Sequence, residues 1–149
     1  MDDRNEPWRD LESYMEKTYW VVDILPKQVP ENSRGQYFKI EEYYLCHPQV
    51  DVIYKKFSDI FLKLNCYDDM AVSQDGENWV VDPSPHGLVD MVTNAMPTQS
   101  MFYAFLKSAD TLLVATGHDT YFTIYNPTTE ILELLRSLAS ADGLFLWKP

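Results

Sequence analysis

The last third of the chain, Thr111 to Trp147, restricts the choice of folds more than any other stretch. It opens with an apolar run, Thr111-Leu112-Leu113-Val114-Ala115-Thr116. It then passes through Gly117-His118-Asp119 into a second β-rich run, Thr120 to Tyr125. Asn126-Pro127 announces a helix with Asn126 as its cap, and Ile131, Leu134, Leu135 and Leu138 are spaced as its buried stripe. Gly143 is placed to end that helix. Leu144-Phe145-Leu146-Trp147 follows as a strand apolar on both faces, which suits a strand covered on both sides or lying at an interface. The order predicts a C-terminal β-hairpin followed by a β-α-β unit. A right-handed crossover would leave the 120–125 and 143–147 strands parallel.

The preceding residues add helices and further strands. Pro7 to Lys17 reads as a helix with Trp8, Leu11 and Met15 on one stripe, and Tyr19 to Leu25 as a strand of β-branched and aromatic residues. Residues 26–36 form a polar loop. The stretch 48–65 is the strongest helix: Val50, Ile53, Tyr54, Phe57, Ile60, Phe61 and Leu64 step by three and four, as one buried stripe requires. Asp51–Lys55 and Asp59–Lys63 are favourable i,i+4 pairs on its wet side. Segments 36–45 and 99–107 fit either a helix or a strand, the first leaning to helix. Asp75-Gly76 between Met70–Ser73 and Asn78–Val81 signals a hairpin with a type I′ turn. Ser84-Pro85 starts a helix with Leu88, Val92, Ala95 and either Met91 or Met96 turned inward. The sum is one α+β domain over residues 1–149, with a mixed sheet of about five or six strands packed with helices.

Composition limits the class of function. An apolar fraction of 46% over 149 residues is enough for a real core. No apolar run approaches the roughly 18 residues of a membrane span, and the acidic N-terminus lacks the apolar heart of a secretory signal. A cytoplasmic location is the expectation. Cys46 and Cys66 flank the 48–65 helix, too far apart for a disulfide, and are expected to be small buried hydrophobes. Net charge is −11, with 12 acidic and 9 basic residues through Lys63 but 11 and 3 thereafter. Phosphate contacts need clustered cations, so nucleic acid and anionic membrane are disfavoured as partners. A basic protein partner is favoured instead.

No residue pattern demands catalysis or a cofactor. The five glycines form no phosphate loop. His47, His86 and His118 lie in no metal-binding spacing, so neither a metal nor another cofactor is expected. Thr116-Gly117-His118-Asp119-Thr120 resembles the His-Asp motif of the histidine acid phosphatases, whose aspartate protonates the leaving group. That family's Arg-His-Gly motif has no counterpart, the nearest string being Ser33-Arg34-Gly35-Gln36, and no assignment follows. His86 and Asp90, one helical turn apart, are a second candidate acid–base pair near Asp82 and Ser84. Surface chemistry remains. Tyr67, Asp68, Asp69, Asp75, Glu77, Trp79 and Asp82 place aromatic anchors among carboxylates around the hairpin, a combination suited to a cationic protein. The leading expectation is a non-enzymatic binding module, such as an inhibitor or immunity-type partner of a basic protein. A small hydrolase using His118/Asp119 or His86/Asp90 is the alternative, and a homo-oligomer joined through Leu144, Phe145, Leu146 and Trp147 the third reading.

Overall fold

Seven strands form one open sheet in the computed structural model, which describes residues 6–33, 35–95 and 100–149. They are β1 (Tyr19–Asp23), β2 (Met70–Ser73), β3 (Val80–Val81), β4 (Met101–Leu106), β5 (Thr111–Thr116), β6 (Tyr121–Tyr125) and β7 (Phe145–Trp147). Their order is β3-β2-β4-β5-β6-β1-β7, and every neighbouring pair is antiparallel. The helices are α1 (Leu11–Met15), α2 (Gln36–Tyr44), α3 (Gln49–Leu64), α4 (Pro85–Ala95) and α5 (Thr129–Ala141). The α+β class stands, and both ambiguous segments resolve, 36–45 to a helix and 101–106 to a strand.

The sheet departs from the expected mixed one in count and in neighbours. β6 and β7 do run in the same direction, because each is antiparallel to β1. They are not adjacent, however: β1 is inserted between them, splitting the β-α-β unit. Its Val22 pairs with Phe122 on one side and Leu146 on the other, and all three are buried. A crossover rule applied to consecutive elements cannot see a strand arriving from the far end of the chain.

One face of the sheet carries α3, α4 and α5. The α3 stripe is buried at all seven expected positions, with Phe57 and Phe61 packed against Phe122 at ring-centroid distances of 5.1 and 4.9 Å. Val22, Met70, Val72, Phe102, Leu113 and Ile124 meet it from the strands, and Leu88, Val92, Ile131 and Leu135 from α4 and α5. Met91 is half-buried against this core, whereas Met96 and Gln99 lie outside the described residues. Ser84 caps α4 as expected, accepting from the Gly87 N–H at 3.0 Å. For α5 the cap is Thr128, whose Oγ1 accepts from the Ile131 N–H at 3.1 Å. Asn126 instead adopts a positive φ of 59° and donates its side-chain amide to the Asp110 carbonyl.

The opposite face is only partly covered. The expected N-terminal helix breaks at Asp10 into a 3-10 turn, Pro7–Arg9, and the short α1. The break turns Trp8 and Tyr14 inward and leaves Met15 exposed, in place of the Trp8-Leu11-Met15 stripe. Trp8 and Tyr14 lie on Phe105, with Ala71, Leu112 and Val114 beside them, and the Tyr14 hydroxyl donates to Asp110. The cover stops there. No helix among the described residues is long and apolar enough to cross a membrane.

Two smaller expectations are corrected. Cys46 and Cys66 are free and exposed, since each lies beyond an end of α3 and off its buried stripe. The i,i+4 contacts seen along α3 are a hydrogen bond between His47, just before its start, and Asp51, and an ion pair between Lys55 and Asp59, each four residues earlier than the pairs expected.

Candidate functional site

Strand alternation builds a site on the uncovered part of the second face. In β1 the residues Trp20 and Val22 face the helical core, so Tyr19, Val21 and Asp23 face away. In β6 the core takes Phe122 and Ile124, leaving Tyr121, Thr123 and Tyr125 outward. The register aligns Tyr19 with Tyr125, Val21 with Thr123 and Asp23 with Tyr121. Trp147 of β7 lies opposite Val21. These side chains floor a cavity of about 710 Å³, walled by Met15 of α1, by the 25–33 loop and by Tyr37 and Phe38 of α2. That volume lies within the roughly 300–1,000 Å³ of small-ligand sites. Loop residues Lys27 and Glu31, opposite in sign and both exposed, complete its polar lining.

Asp23 is the unusual member. Its side chain lies in a sheet interior, and the residue is only 8% exposed. Oδ1 accepts from the Leu25 N–H at 3.2 Å. Among the described residues no cation forms an ion pair with it. Burial pushes its carboxyl pKa above the ordinary value, and the charge of Asp119 adds to that. The backbone amides of Leu25 and Ile24 and the indole of Trp147 oppose it. The Trp147 N–H is near enough to favour the charged carboxylate, yet falls short of hydrogen-bond geometry and is buried without a partner. A buried donor without a partner and a buried carboxylate therefore lie together beside the cavity.

Burial raises the pKa of the cavity tyrosines, and carboxylates add to the rise at two of them. Tyr121 has its pKa raised by burial and then by Asp119, Asp23 and Glu41. Tyr37 is raised by burial and by Glu41, whose Oε2 accepts from its hydroxyl at 3.0 Å. Tyr125 is raised by burial, then by Tyr19, with which it forms a tilted ring pair at 5.7 Å. Aromatic faces and carboxylates converge on one space.

The hairpin residues singled out from sequence fall into two groups at the ends of β2. Tyr67, Asp68, Asp69 and Asp82 lie at one end, where the Asp82 N–H donates to Met70 and Lys107 pairs with Asp82 at 3.5 Å. Asp75, Glu77 and Trp79 lie at the other. Tyr67 is 71% exposed and Glu77 is exposed. Asp68 is committed to the Ser108 and Ala109 N–H groups at 3.0 and 2.9 Å. Asp75 is committed to the loop, accepting from the Glu77 and Asn78 amides at 2.9 and 2.8 Å, which holds its pKa below the ordinary range. The loop is not the expected two-residue turn: β2 and β3 pair from Val72 to Val80, and of Asp75 and Gly76 only Gly76 takes a positive φ, of 79°. Trp79 is half-buried on Trp8 and Tyr103, its indole N–H donating to Gly76.

Neither histidine pair is joined by a hydrogen bond among the described residues. His118 is exposed, and Asp119 accepts from the Thr116 hydroxyl at 2.7 Å, closing the β5–β6 turn. His86 and Asp90 are both exposed, with no hydrogen bond joining them among the described residues. No group of three or more His, Cys, Asp or Glu among those residues is placed to hold a metal ion.

Comparison with protein-family models, with curated proteins and with solved structures yields no match to this chain. The functional reading therefore rests on the geometry above. Sequence reasoning passed over Asp23, Tyr37 and Tyr121 and gave Trp147 only to a subunit interface. Two signals were present: an aspartate in phase with Tyr19 and Val21, and the Tyr-Thr-Tyr alternation on the face of β6 opposite Phe122 and Ile124.

Proposed function

We propose that the protein is a non-enzymatic binding module whose partner is a basic protein, as an inhibitor or immunity-type protein would have. The observation that carries the reading is the cavity on the second sheet face, where aromatic rings surround a buried carboxylate that no cation pairs with among the described residues. The net charge of −11 supports it, because a negative surface steers a cationic partner and discourages nucleic acid. The exposed carboxylates Asp69, Glu77 and Asp82 extend that surface around the hairpin. Tagged protein is used to capture partners from a lysate of its source at low and high salt, with Asp75, Glu77 and Asp82 changed to lysine in parallel. A stoichiometric basic protein, released by salt and weakened by the substitutions, supports the proposal. Capture without such a protein argues against it.

A second reading has its own observation. β7 is an edge strand whose outer side is unpaired among the described residues, and Phe145 on it is 43% exposed. Edge strands of this kind pair with a second copy unless protected. Leu144 and Leu146 are buried in the core, so Phe145 is the residue to change. If the protein self-associates through β7, Phe145→Lys converts a dimer to a monomer in sedimentation; an unchanged species excludes this edge.

A further inference from the structure

We infer that the cavity between β1, β6 and α2 is a receptor for one organic cation of the alkylguanidinium or alkylammonium type, held by Asp23 against aromatic walls. The inference rests on the binding-module reading and adds the chemistry of the contact. Three observations converge on it. First, Asp23 is more than nine-tenths buried, lines the cavity, and has no ion-pair partner among the described residues. An uncompensated buried carboxylate is costly, and a cation delivered by a ligand removes that cost. Second, Tyr19, Tyr121, Tyr125 and Trp147 surround the same space, and the negative faces of such rings attract cations. Third, Glu41 lies behind the wall, bonded to the Tyr37 hydroxyl. Lys27, the cation that lines the cavity among the described residues, is on the exposed loop. Anions are disfavoured by the same field. An apolar ligand would leave the Asp23 carboxylate without a counter-charge.

A guanidinium fits this lining best, since it stacks on rings and grips a carboxylate with paired N–H donors. Such a group is offered by an arginine side chain of a polypeptide and by a free alkylguanidine, and the experiment separates the two. The intact protein, labelled with 15N, is titrated by NMR with Nα-acetyl-arginine methylamide, with agmatine, and with the citrulline counterpart, which keeps the shape without the charge. The expected result is saturable shifts at the Trp147 indole and at the β1 and β6 amides. The citrulline analogue should bind at least about tenfold more weakly, as a charge-assisted bond predicts. Asp23→Asn should lose the cation by a similar factor while remaining folded, and Trp147→Phe should weaken it less. Tighter binding of agmatine than of the peptide-like probe would assign the cation to a free metabolite; the reverse order would assign it to a polypeptide. Equal binding of the citrulline analogue, indifference to Asp23→Asn, or no saturable shift with either cation overturns the inference. The failure is separable from failure of the binding-module reading: a basic protein captured equally by the wild type and by Asp23→Asn keeps that reading and removes only the cavity from it.

Discussion

The two faces of the sheet are built from the same strands and have different jobs. Toward α3, α4 and α5 the strands present Val22, Phe102, Leu113, Phe122 and Ile124, all buried, in a core without an ionisable carboxylate or amine. Toward the opposite side β1 and β6 present Tyr19, Asp23, Tyr121, Thr123 and Tyr125, and the N-terminal cover of Trp8 and Tyr14 stops short of them. The first face is filled by apolar side chains. The second retains a buried carboxylate, an unpartnered indole N–H and space for a ligand.

The contrast is broken most forcefully from the core side. Phe57→Ala removes a fully buried ring from between α3 and Phe122 and should destabilise by about 3–5 kcal/mol in urea unfolding. A loss well under ~1 kcal/mol would mean that this face is not the close-packed one.

Tyr14→Phe tests the partial cover. It keeps the ring on Phe105 but deletes the hydroxyl donated to Asp110, so it should cost about 1 kcal/mol. Denaturant midpoints measured beside Phe57→Ala place the two faces on one scale. A neutral effect would show that the N-terminal segment is not fixed by that bond.

Asp23→Asn should act with the opposite sign. Because burial raises the Asp23 pKa in the folded state, its ionisation works against folding. That group favours the folded state below the unfolded carboxyl pKa of about 3.9, and the advantage is lost as pH rises through the higher folded value. The asparagine variant does not titrate there, so it should melt above the wild type at pH 7, and the gap should close in acid. A variant that melts lower at pH 7 would make Asp23 structural.

The smallest effect is expected at Asp75. Its carboxyl pKa is depressed by the Asn78 and Glu77 amides, so its contribution is present at neutral pH and fades as the solution becomes strongly acidic. Asp75→Ala should lower the melting temperature slightly at pH 7 and not at all in strong acid. Equal losses at both pH values would exclude the carboxylate as the loop's organiser.

The two faces were also unequally legible in the sequence. All seven α3 stripe positions follow from spacing alone, because one helix meeting one sheet imposes a period that needs no knowledge of partners. Hairpin β5–β6, helix α5 and the capping of α4 by Ser84 are local matters and were readable for the same reason. The position of β1 was not, since Val22 carries no mark of lying between Phe122 and Leu146. The Asp75-Gly76 turn misled because the carboxylate of Asp75, rather than a second positive φ, organises that loop. The site was invisible for a related reason. Asp23, Tyr37, Tyr121 and Trp147 come from four elements spread along almost the whole chain, and only the β1 insertion brings three of them together on one sheet. A search for motifs favours neighbours such as His118-Asp119, which the fold uses for a turn.

The most direct test of the account is an NMR titration of the Asp23 side-chain carboxyl carbon, in the free protein and with Nα-acetyl-arginine methylamide added. Burial of Asp23 should hold its pKa above the ordinary aspartate value of about 3.9 in the free protein, and the pKa should fall when the cation binds. An ordinary or depressed pKa in the free protein, unmoved by the probe, would mean that the carboxylate is already satisfied and that the second face is no receptor.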